Sequence, residues 1–279
     1  MMTGGTPRWA IGGALVLALG LSGCAGASPA GGDPGSGGKV TVGIKFDQPG
    51  LGLKNGDSFE GFDVEVARYV AKELGYTDVE FRETPSAQRE TMLQSDQVKM
   101  IFATYSITDD RKKKVSFAGP YFIAGQDLLV SASASGITGP ESLNGKKLCS
   151  VVGSTSAKKI KDTIANEVQL QEYDTYSKCV EALASGSIDA VTTDNVILAG
   201  FAAQPQYAGK LKVVGKTFST ERYGVGIKQG DTKLCTAIND ALAKMVSDGS
   251  WQKALDDTVG TSGFTPDAAT NPPKADACA

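Results

Sequence analysis

Histidine is absent from this chain of 279 residues. Its absence excludes Ser-His-Asp and Cys-His catalysis, and it excludes every zinc site that uses histidine ligands. Positive charge is also in short supply, with 28 Lys and Arg residues against 31 Asp and Glu residues and a formal net charge of −3. Because nucleic-acid binding needs a surplus of clustered cations, this balance argues against that class of function.

Two short motifs are missing as well. No G-x-x-x-x-G-K-[ST] phosphate loop occurs, so the chain is not itself a P-loop ATPase. No C-x-x-C pair occurs, so neither a structural metal nor any other cofactor is expected. With a hydrophobic content of 41%, the chain has the composition of a globular protein whose chemistry uses carboxylates, amines, hydroxyls and thiols.

The N-terminus has the pattern of a processing signal. An apolar run of 13 residues from Trp9 to Leu21 follows Arg8 and is shorter than the roughly 20 residues that span a membrane. The run ends in Leu21-Ser22-Gly23-Cys24, which resembles a bacterial lipobox. That resemblance implies cleavage before Cys24, acylation of its sulfur, and attachment to the outer face of the cell membrane. The alternative is an ordinary secretory signal with a chance cysteine.

These assignments divide the first part of the chain. Residues 1–23 are predicted to be a lipoprotein signal peptide that the mature protein lacks. Residues 24–38 are rich in Gly, Ala, Ser and Pro and are predicted to be a flexible tether.

The remaining four cysteines are an even number in a chain predicted to be exported, which favours disulfides. Four cysteines allow three pairings. We favour Cys149–Cys179, within one candidate lobe, and Cys235–Cys278, which would fasten a tail of residues 265–279 that is rich in Pro and Ala.

The rest of the sequence alternates short β-rich runs with helical patterns, which predicts an α/β fold with mainly parallel sheets. Two segments 90 residues apart share one order of features: a helix, a polar turn, then a strand with a polar residue at its carboxyl end. Those end residues are Thr104 and Asp194. Ligands in open α/β sheets bind outside the carboxyl ends of strands, so two similar lobes that face each other predict a cleft for a small molecule.

One segment after a strand carries candidate binding groups. The hydroxyls of Thr104, Ser106 and Thr108 and the guanidinium of Arg111 could converge on a carboxylate, which the planar guanidinium binds through two hydrogen bonds. The alternative is a helix start with solvated charges, and composition alone favours that alternative.

Five segments resemble motifs of the polar-amino-acid solute-binding proteins of ABC importers, which are bacterial extracellular solute-binding proteins of family 3. In order, they are Gly61-Phe62-Asp63-Val64-Glu65-Val66-Ala67, Ser106-Ile107-Thr108-x-x-Arg111, Phe117-Ala118-x-Pro120-Tyr121, Gly153-Ser154-Thr155, and Ile188-Asp189-Ala190 continuing to Asp194. The resemblance covers about residues 39–260. It implies capture of an amino acid by closure about a hinge, and delivery to a membrane permease that a separate ATPase drives.

The fold that this resemblance implies is the two-lobe, type II periplasmic-binding-protein-like fold. Lobe 1 is expected to comprise residues 39–131 and 223–279, and lobe 2 residues 132–222. The two hinge strands are expected near Leu128–Ser131 and Tyr223–Ile227. Such a protein is expected to act as a monomer.

The same resemblance implies roles for individual residues. Arg111 is expected to bind the ligand's α-carboxylate, helped by Ser106 and by Ser154 and Thr155 at a helix start. Asp194 is expected to bind the α-ammonium group, with Thr104 nearby.

Selectivity is expected to come from positive charge. Lys45 follows the first strand, and Ser86-x-x-Arg89 opens the next helix, so both cations could face the ligand's side chain. Counting Lys45, Arg89 and Arg111 against Asp194 leaves a surplus of two positive charges, which favours L-glutamate or L-aspartate over an uncharged relative. The segment from Lys45 to Gly52 also resembles glutamate-binding members of the family. Solvated side chains are the alternative for Lys45 and Arg89.

Two other functions use the same scaffold. A receptor module could sense amino acids and signal to a partner. A dehydratase-like enzyme would need a general acid over its substrate, and Asp194 is the only acidic candidate in the predicted cleft. We therefore expect a binding protein and not an enzyme.

Overall fold

A computed structural model describes residues 38–160, 162 and 167–278. The predicted signal peptide, Cys24 and all of the predicted tether except residue 38 lie outside the described residues. Within the described part of the chain, none of the helices is both long enough and apolar enough to cross a membrane.

Strands and helices alternate along the described chain. The strands are β1 (Lys39–Ile44), β2 (Asp47–Gln48), β3 (Gly52–Asn55), β4 (Ser58–Glu60), β5 (Asp78–Glu83), β6 (Met100–Ile101), β7 (Ser116–Ala124), β8 (Gln126–Ser131), β9 (Lys147–Val151), β10 (Gln169–Tyr173), β11 (Ala190–Asp194), β12 (Leu211–Val213) and β13 (Glu221–Ile227). The helices are α1 (Phe62–Glu73), α2 (Arg89–Gln94), α3 (Asp109–Lys112), α4 (Thr155–Lys159), α5 (Tyr176–Ala184), α6 (Asn195–Ala202), α7 (Thr232–Ser247) and α8 (Ser250–Asp257).

Two five-stranded sheets form the centres of two lobes. The first sheet has the order β5-β1-β6-β13-β7, and the second has the order β10-β9-β11-β8-β12. In each sheet the first three strands are parallel and one antiparallel strand follows them, which is β13 in the first sheet and β8 in the second. This shared strand order confirms the predicted two-lobe α/β fold, with helices packed on both sheets.

The chain passes between the lobes earlier than the sequence predicted. The segment Leu128–Ser131, expected to be a hinge strand, belongs to β8 and pairs within the second sheet. The chain therefore leaves the first sheet at Gly125, between β7 and β8, and not after Ser131. It returns between β12 and β13, so the crossing segments are residue 125 and residues 214–220.

A small antiparallel sheet of β2, β3 and β4 projects from the first lobe, and the sequence analysis did not predict it. It places Asp47 and Gln48 next to the gap between the lobes. The hydrogen bond that Gln48 Nε2 donates to Thr104 Oγ1, at 3.2 Å, ties this sheet to the turn after β6.

An aromatic cluster stabilises the first lobe. The ring of Phe62 at the start of α1 lies 5.6 Å from that of Phe122 and 5.5 Å from that of Trp251 between ring centroids. The indole of Trp251 donates a hydrogen bond of 2.9 Å to the carbonyl oxygen of Tyr121. Edge-to-face contacts of this kind add about 1 kcal/mol each beyond burial of the rings, so α1, α8 and β7 are held together behind the cleft.

Both predicted disulfides are confirmed. Cys149 on β9 is bonded to Cys179 on α5, and Cys235 on α7 is bonded to Cys278 in the tail. The tail lies along β7, where the side chain of Asn271 hydrogen-bonds to both backbone groups of Ile123. Because β7 is the edge strand of the first sheet, the tail covers backbone groups that would otherwise be open to pairing with another chain.

Gly61 allows the close approach between α1 and the β2–β3 turn. Its φ is 115°, and a Cβ atom there would lie 2.2 Å from the carbonyl oxygen of Leu51. We predict that Gly61→Ala lowers the free energy of unfolding by about 3 kcal/mol or more, because backbone overlap adds to left-handed strain. Gly56→Ala is the control, since Gly56 has φ 59° but open space around it, and should cost about 1 kcal/mol. Equal losses in chemical denaturation would contradict this account.

Candidate functional site

A small cavity lies between the lobes. Eight of the nine residues predicted to bind a ligand line it, namely Ser86, Arg89, Thr104, Ser106, Arg111, Ser154, Thr155 and Asp194. Four further lining residues were not predicted, namely Ser156, Tyr176, Thr193 and Ile197. The predicted strand ends, Thr104 and Asp194, thus come from different lobes and meet at one cavity.

The guanidinium group of Arg111 is oriented by contacts with both lobes. Its Nη1 donates to the carbonyl oxygen of Ser106 at 2.8 Å, and its Nη2 donates to the carbonyl oxygen of Gly153, in the second lobe, at 3.2 Å. Its Nε lies 3.7 Å from Glu90 Oε1, and the group lies 4.8 Å from the ring centroid of Tyr105. These contacts fix the plane of the fork, which is the requirement for binding a carboxylate through two oxygens.

Arg89 is a buried cation with little compensation. Its side chain is 3% exposed, and its Nε donates one long hydrogen bond of 3.4 Å to the carbonyl oxygen of Thr84. The guanidinium lies 5.0 Å from the ring centroid of Tyr105. Burial, followed by the charge of Arg111, lowers the pKa of Arg89. Among the described residues no carboxylate oxygen lies within 4.0 Å of this group, so an anion is needed to complete its environment.

Asp194 is a buried acceptor in the same cavity. It is 4% exposed at the end of β11, and its Oδ2 accepts a hydrogen bond of 2.6 Å from the hydroxyl of Tyr223. Its Oδ1 has no hydrogen-bond partner among the described residues. Burial, followed by the charge of Glu221, raises the pKa of Asp194 from 3.8 to about 8. The unpartnered Oδ1 is open to a donor in the cavity, and a cationic group placed there would favour the ionised form of the carboxyl group.

The turn that carries Thr104 is held by Asp63, which the sequence analysis did not predict as part of the site. Thr104 has a φ of 45°, and its backbone N–H donates to Asp63 Oδ2 at 2.9 Å. Asp63 Oδ1 accepts from the hydroxyl of Tyr121 at 2.7 Å, and burial raises the pKa of Asp63 to about 6. A carboxylate inside the Gly61–Ala67 motif thus supports a strained backbone that a threonine rarely adopts.

The second lobe contributes the start of α4. Ser154 is the N-cap residue, and its hydroxyl accepts from the backbone N–H of Ala157 at 3.1 Å. The hydroxyl of Thr155 donates to Glu221 Oε2 at 3.2 Å and accepts from Gln126 Nε2 at 3.2 Å. Because Glu221 begins β13 of the first sheet, Thr155 also joins the two lobes.

The lobes touch directly beside this helix start. A Cβ atom on Gly153 would lie 2.8 Å from Cα of Ala87, which precedes α2 in the first lobe. Gly153 also has a φ of 76°. Only glycine suits both conditions, which explains why this residue begins the Gly153-Ser154-Thr155 segment.

Lys45 does not line the cavity. Its side chain is fully buried, its Nζ lies 3.3 Å from Asp47 Oδ1, and burial lowers its pKa. The ring centroid of Tyr176, a residue that does line the cavity, lies 5.9 Å from that Nζ. Lys45 is therefore shielded from bulk water and lies close to Tyr176, a residue of the cavity wall.

The predicted surplus of two positive charges is not what the structure shows. Lys45 is paired with Asp47, and Arg111 is 3.7 Å from Glu90. Glu221 adds another carboxylate next to Asp194. The count from sequence set only Asp194 against the three cations, because the sequence alone left open whether Asp47 pairs with Lys45 and did not show that Glu90 and Glu221 approach these groups. Arg89 is the cation of the three that has no carboxylate within 4.0 Å among the described residues.

Two α/β lobes joined by two crossing segments, with a charged cavity enclosed between them, define the class of two-lobe ligand-binding proteins. Residues 40–261 match the model of the bacterial extracellular solute-binding proteins, family 3. This chain belongs to that family, as its sequence motifs predicted.

Individual relatives agree with this assignment. The chain is 50% identical over 236 residues to a glutamate-binding protein, GluB, of Corynebacterium efficiens, with 80% of this chain and 79% of the relative covered. It is 40% identical over 220 residues to a glutamine-binding protein of an ABC transporter, GlnH, of Bacillus subtilis, covering 77% and 79%. Among solved structures, an ancestral arginine-binding protein bound to arginine superposes with a TM-score of 0.73 at 35% identity, covering 79% of this chain and 97% of that one.

The raised pKa of Asp194 makes a prediction about stability without any ligand. Between about pH 4 and pH 8 the folded protein keeps a proton on Asp194 that the unfolded chain has lost, so the free energy of unfolding falls as pH rises. We predict that Asp194→Asn becomes more stable relative to the natural protein over this range, by about 1.4 kcal/mol per pH unit at most.

Chemical denaturation from pH 5 to pH 8 measures this difference. Asp57→Asn is the control, because Asp57 is exposed in the turn between β3 and β4. A constant stability difference between Asp194→Asn and the natural protein across this range would show that Asp194 is already ionised when folded.

Proposed function

We propose that this protein captures L-glutamate between its lobes and delivers it to an ABC-type amino-acid importer. L-Aspartate is the alternative ligand. The observation that carries the proposal is the buried guanidinium of Arg89, which has no carboxylate within 4.0 Å among the described residues. The glutamate-binding relative at 50% identity supports the same ligand.

The backbone groups of the amino acid would be bound at opposite sides of the cavity. Arg111 would bind the α-carboxylate with its fork, with the hydroxyl of Ser106 and the backbone N–H of Thr155 at the helix start as further donors. Asp194 would bind the α-ammonium group through Oδ1, the oxygen that lacks a hydrogen-bond partner. These contacts are common to all amino acids, so they supply affinity without selectivity.

Selectivity would come from Arg89 together with Ser86 at the start of its helix. A side-chain carboxylate places a negative charge beside the unpaired guanidinium, whereas the amide of glutamine leaves that cation buried and unpaired. Hydrogen bonds to charged groups contribute about 1.5–3 kcal/mol, so the difference amounts to roughly 10- to 100-fold in affinity. A glutamine-binding relative is 40% identical to this chain, so we expect charge at this position, and not the fold, to decide the ligand.

The mature protein would be a monomer held at the outer face of the membrane by lipid on Cys24, where it meets the permease and its ATPase. Its function is binding and not catalysis. In the dehydratase alternative, Asp194 would have to donate a proton to the substrate, whereas the binding function uses it to hold an ammonium group. Incubation with L-glutamate distinguishes the two: the amino acid is recovered unchanged from a binding protein, and its consumption would favour the enzyme.

The role of Arg89 is tested by substitution. We predict that Arg89→Ala weakens L-glutamate binding by about 100-fold and changes L-glutamine binding by less than about tenfold, because only glutamate loses an ionic partner. Arg111→Ala should abolish binding of both, since it removes the group that holds the shared α-carboxylate. Isothermal titration calorimetry measures all four affinities.

Arg82→Ala is the matched control. Arg82 is an exposed arginine on β5, and its Nη1 donates to the carbonyl oxygen of Gln97 at 3.3 Å, away from the cavity lining. Unchanged L-glutamate affinity in Arg89→Ala would refute the assigned role of Arg89, and equal losses for glutamate and glutamine would refute its role in selectivity.

A further inference from the structure

We propose that Asp47 is a positioning residue for ligand capture, one that holds the closed arrangement of the lobes while it neutralises Lys45. This inference rests on the proposed function, because closure matters only if a ligand is captured. Asp47 lies on β2 of the first lobe and does not line the cavity. Its effect on binding is therefore exerted through other residues.

One oxygen of Asp47 reaches across to the second lobe. Its Oδ2 accepts two hydrogen bonds from Ser177, one from the backbone N–H at 3.2 Å and one from the hydroxyl at 3.2 Å. Ser177 lies in the first turn of α5, where backbone N–H groups lack partners within the helix and the helix dipole favours an anion. The N-cap residue of this helix, Thr175, accepts from the backbone N–H of Lys178, so Asp47, from the other lobe, supplies the acceptor for the N–H that precedes it, that of Ser177.

The other oxygen of Asp47 faces Lys45, with Oδ1 and Nζ 3.3 Å apart. Lys45 is fully buried, so removal of its partner would leave an uncompensated charge inside the protein. The same carboxylate thus satisfies a cation of its own lobe and a helix start of the other lobe. The contact with Ser177 can form only when the lobes approach each other.

The position of Tyr176 links this contact to the ligand. Tyr176 lines the cavity, and Ser177 follows it directly on α5. A ligand that packs against Tyr176 therefore brings Ser177 toward Asp47. The contact stabilises the closed complex after the ligand has entered, so its loss should act mainly on ligand dissociation.

Two roles for Asp47 predict effects of opposite sign on L-glutamate. If Asp47 holds the lobes closed, its removal lets glutamate leave faster. If Asp47 only masks the charge of Lys45, its removal exposes an additional cation beside an anionic ligand and slows departure. The dissociation rate of glutamate alone therefore separates the two roles.

The experiment measures dissociation of radiolabelled L-glutamate from the full-length protein after a chase with unlabelled ligand. We expect Asp47→Ala to raise the dissociation rate about tenfold or more, and Asp57→Ala, which removes an exposed carboxylate of the same small sheet, to leave it unchanged. Ser177→Ala should raise the rate by a smaller factor, because it removes the hydroxyl donor but keeps the backbone N–H.

Further variants separate the loss of this contact from a loss of folding. The double variant Asp47→Ala, Lys45→Met removes both members of the ion pair, so neither charge is left without its partner. It should still release L-glutamate faster than Lys45→Met alone. Adding Ser177→Ala to Asp47→Ala should produce no further increase, since both changes break one contact.

A dissociation rate in Asp47→Ala at or below that of the natural protein would overturn the proposal for Asp47 while leaving the proposed function intact. Failure of the natural protein to bind L-glutamate would instead refute the proposed function, and the role of Asp47 in capture with it.

Discussion

The rest of this structure depends on the burial of two guanidinium groups between the two lobes. Arg89 and Arg111 both lie against the ring of Tyr105, within 5.0 Å of its centroid. Burying cations is unfavourable unless an anion or a π-face compensates for lost water. Glu90 provides an anion for Arg111, and the ring of Tyr105 compensates part of the charge of both arginines. Arg89 has no carboxylate within 4.0 Å among the described residues, and a ligand carboxylate would supply that partner.

The fold serves this arrangement by bringing strand ends from both sheets to one cavity. Asp63 supports the strained turn at Thr104, and Glu221 connects the start of α4 to the crossing segment. In the proposed function, selectivity and closure would use different residues, because Arg89 lines the cavity whereas Asp47 lies outside it. A change at the cavity wall would then leave the closing contact intact.

The sequence predicted those parts of the site that depend on local structure. Arg89, Arg111 and Asp194 lie at helix starts and a strand end, and the repeat of features 90 residues apart indicated which ends face the cleft. The contact of Asp47 with Ser177 joins residues 130 positions apart. It could not be predicted, because no local sequence pattern indicates which residues of two lobes contact each other. The three short strands of the small sheet have too few residues for a periodic pattern. The segment Leu128–Ser131 was expected in the hinge from the family resemblance, and its apolar pattern could not correct this because it fits a buried strand of either sheet.

The central claim is that an unpaired buried cation in the cleft makes this a receptor for acidic amino acids. Isothermal titration calorimetry of the natural protein with L-glutamate, L-aspartate, L-glutamine and L-asparagine tests it most directly. The account predicts that each acidic amino acid binds about tenfold or more tightly than its own amide, since the charged partner of Arg89 is worth at least about 1.5 kcal/mol. Equal or tighter binding of the amides would contradict it.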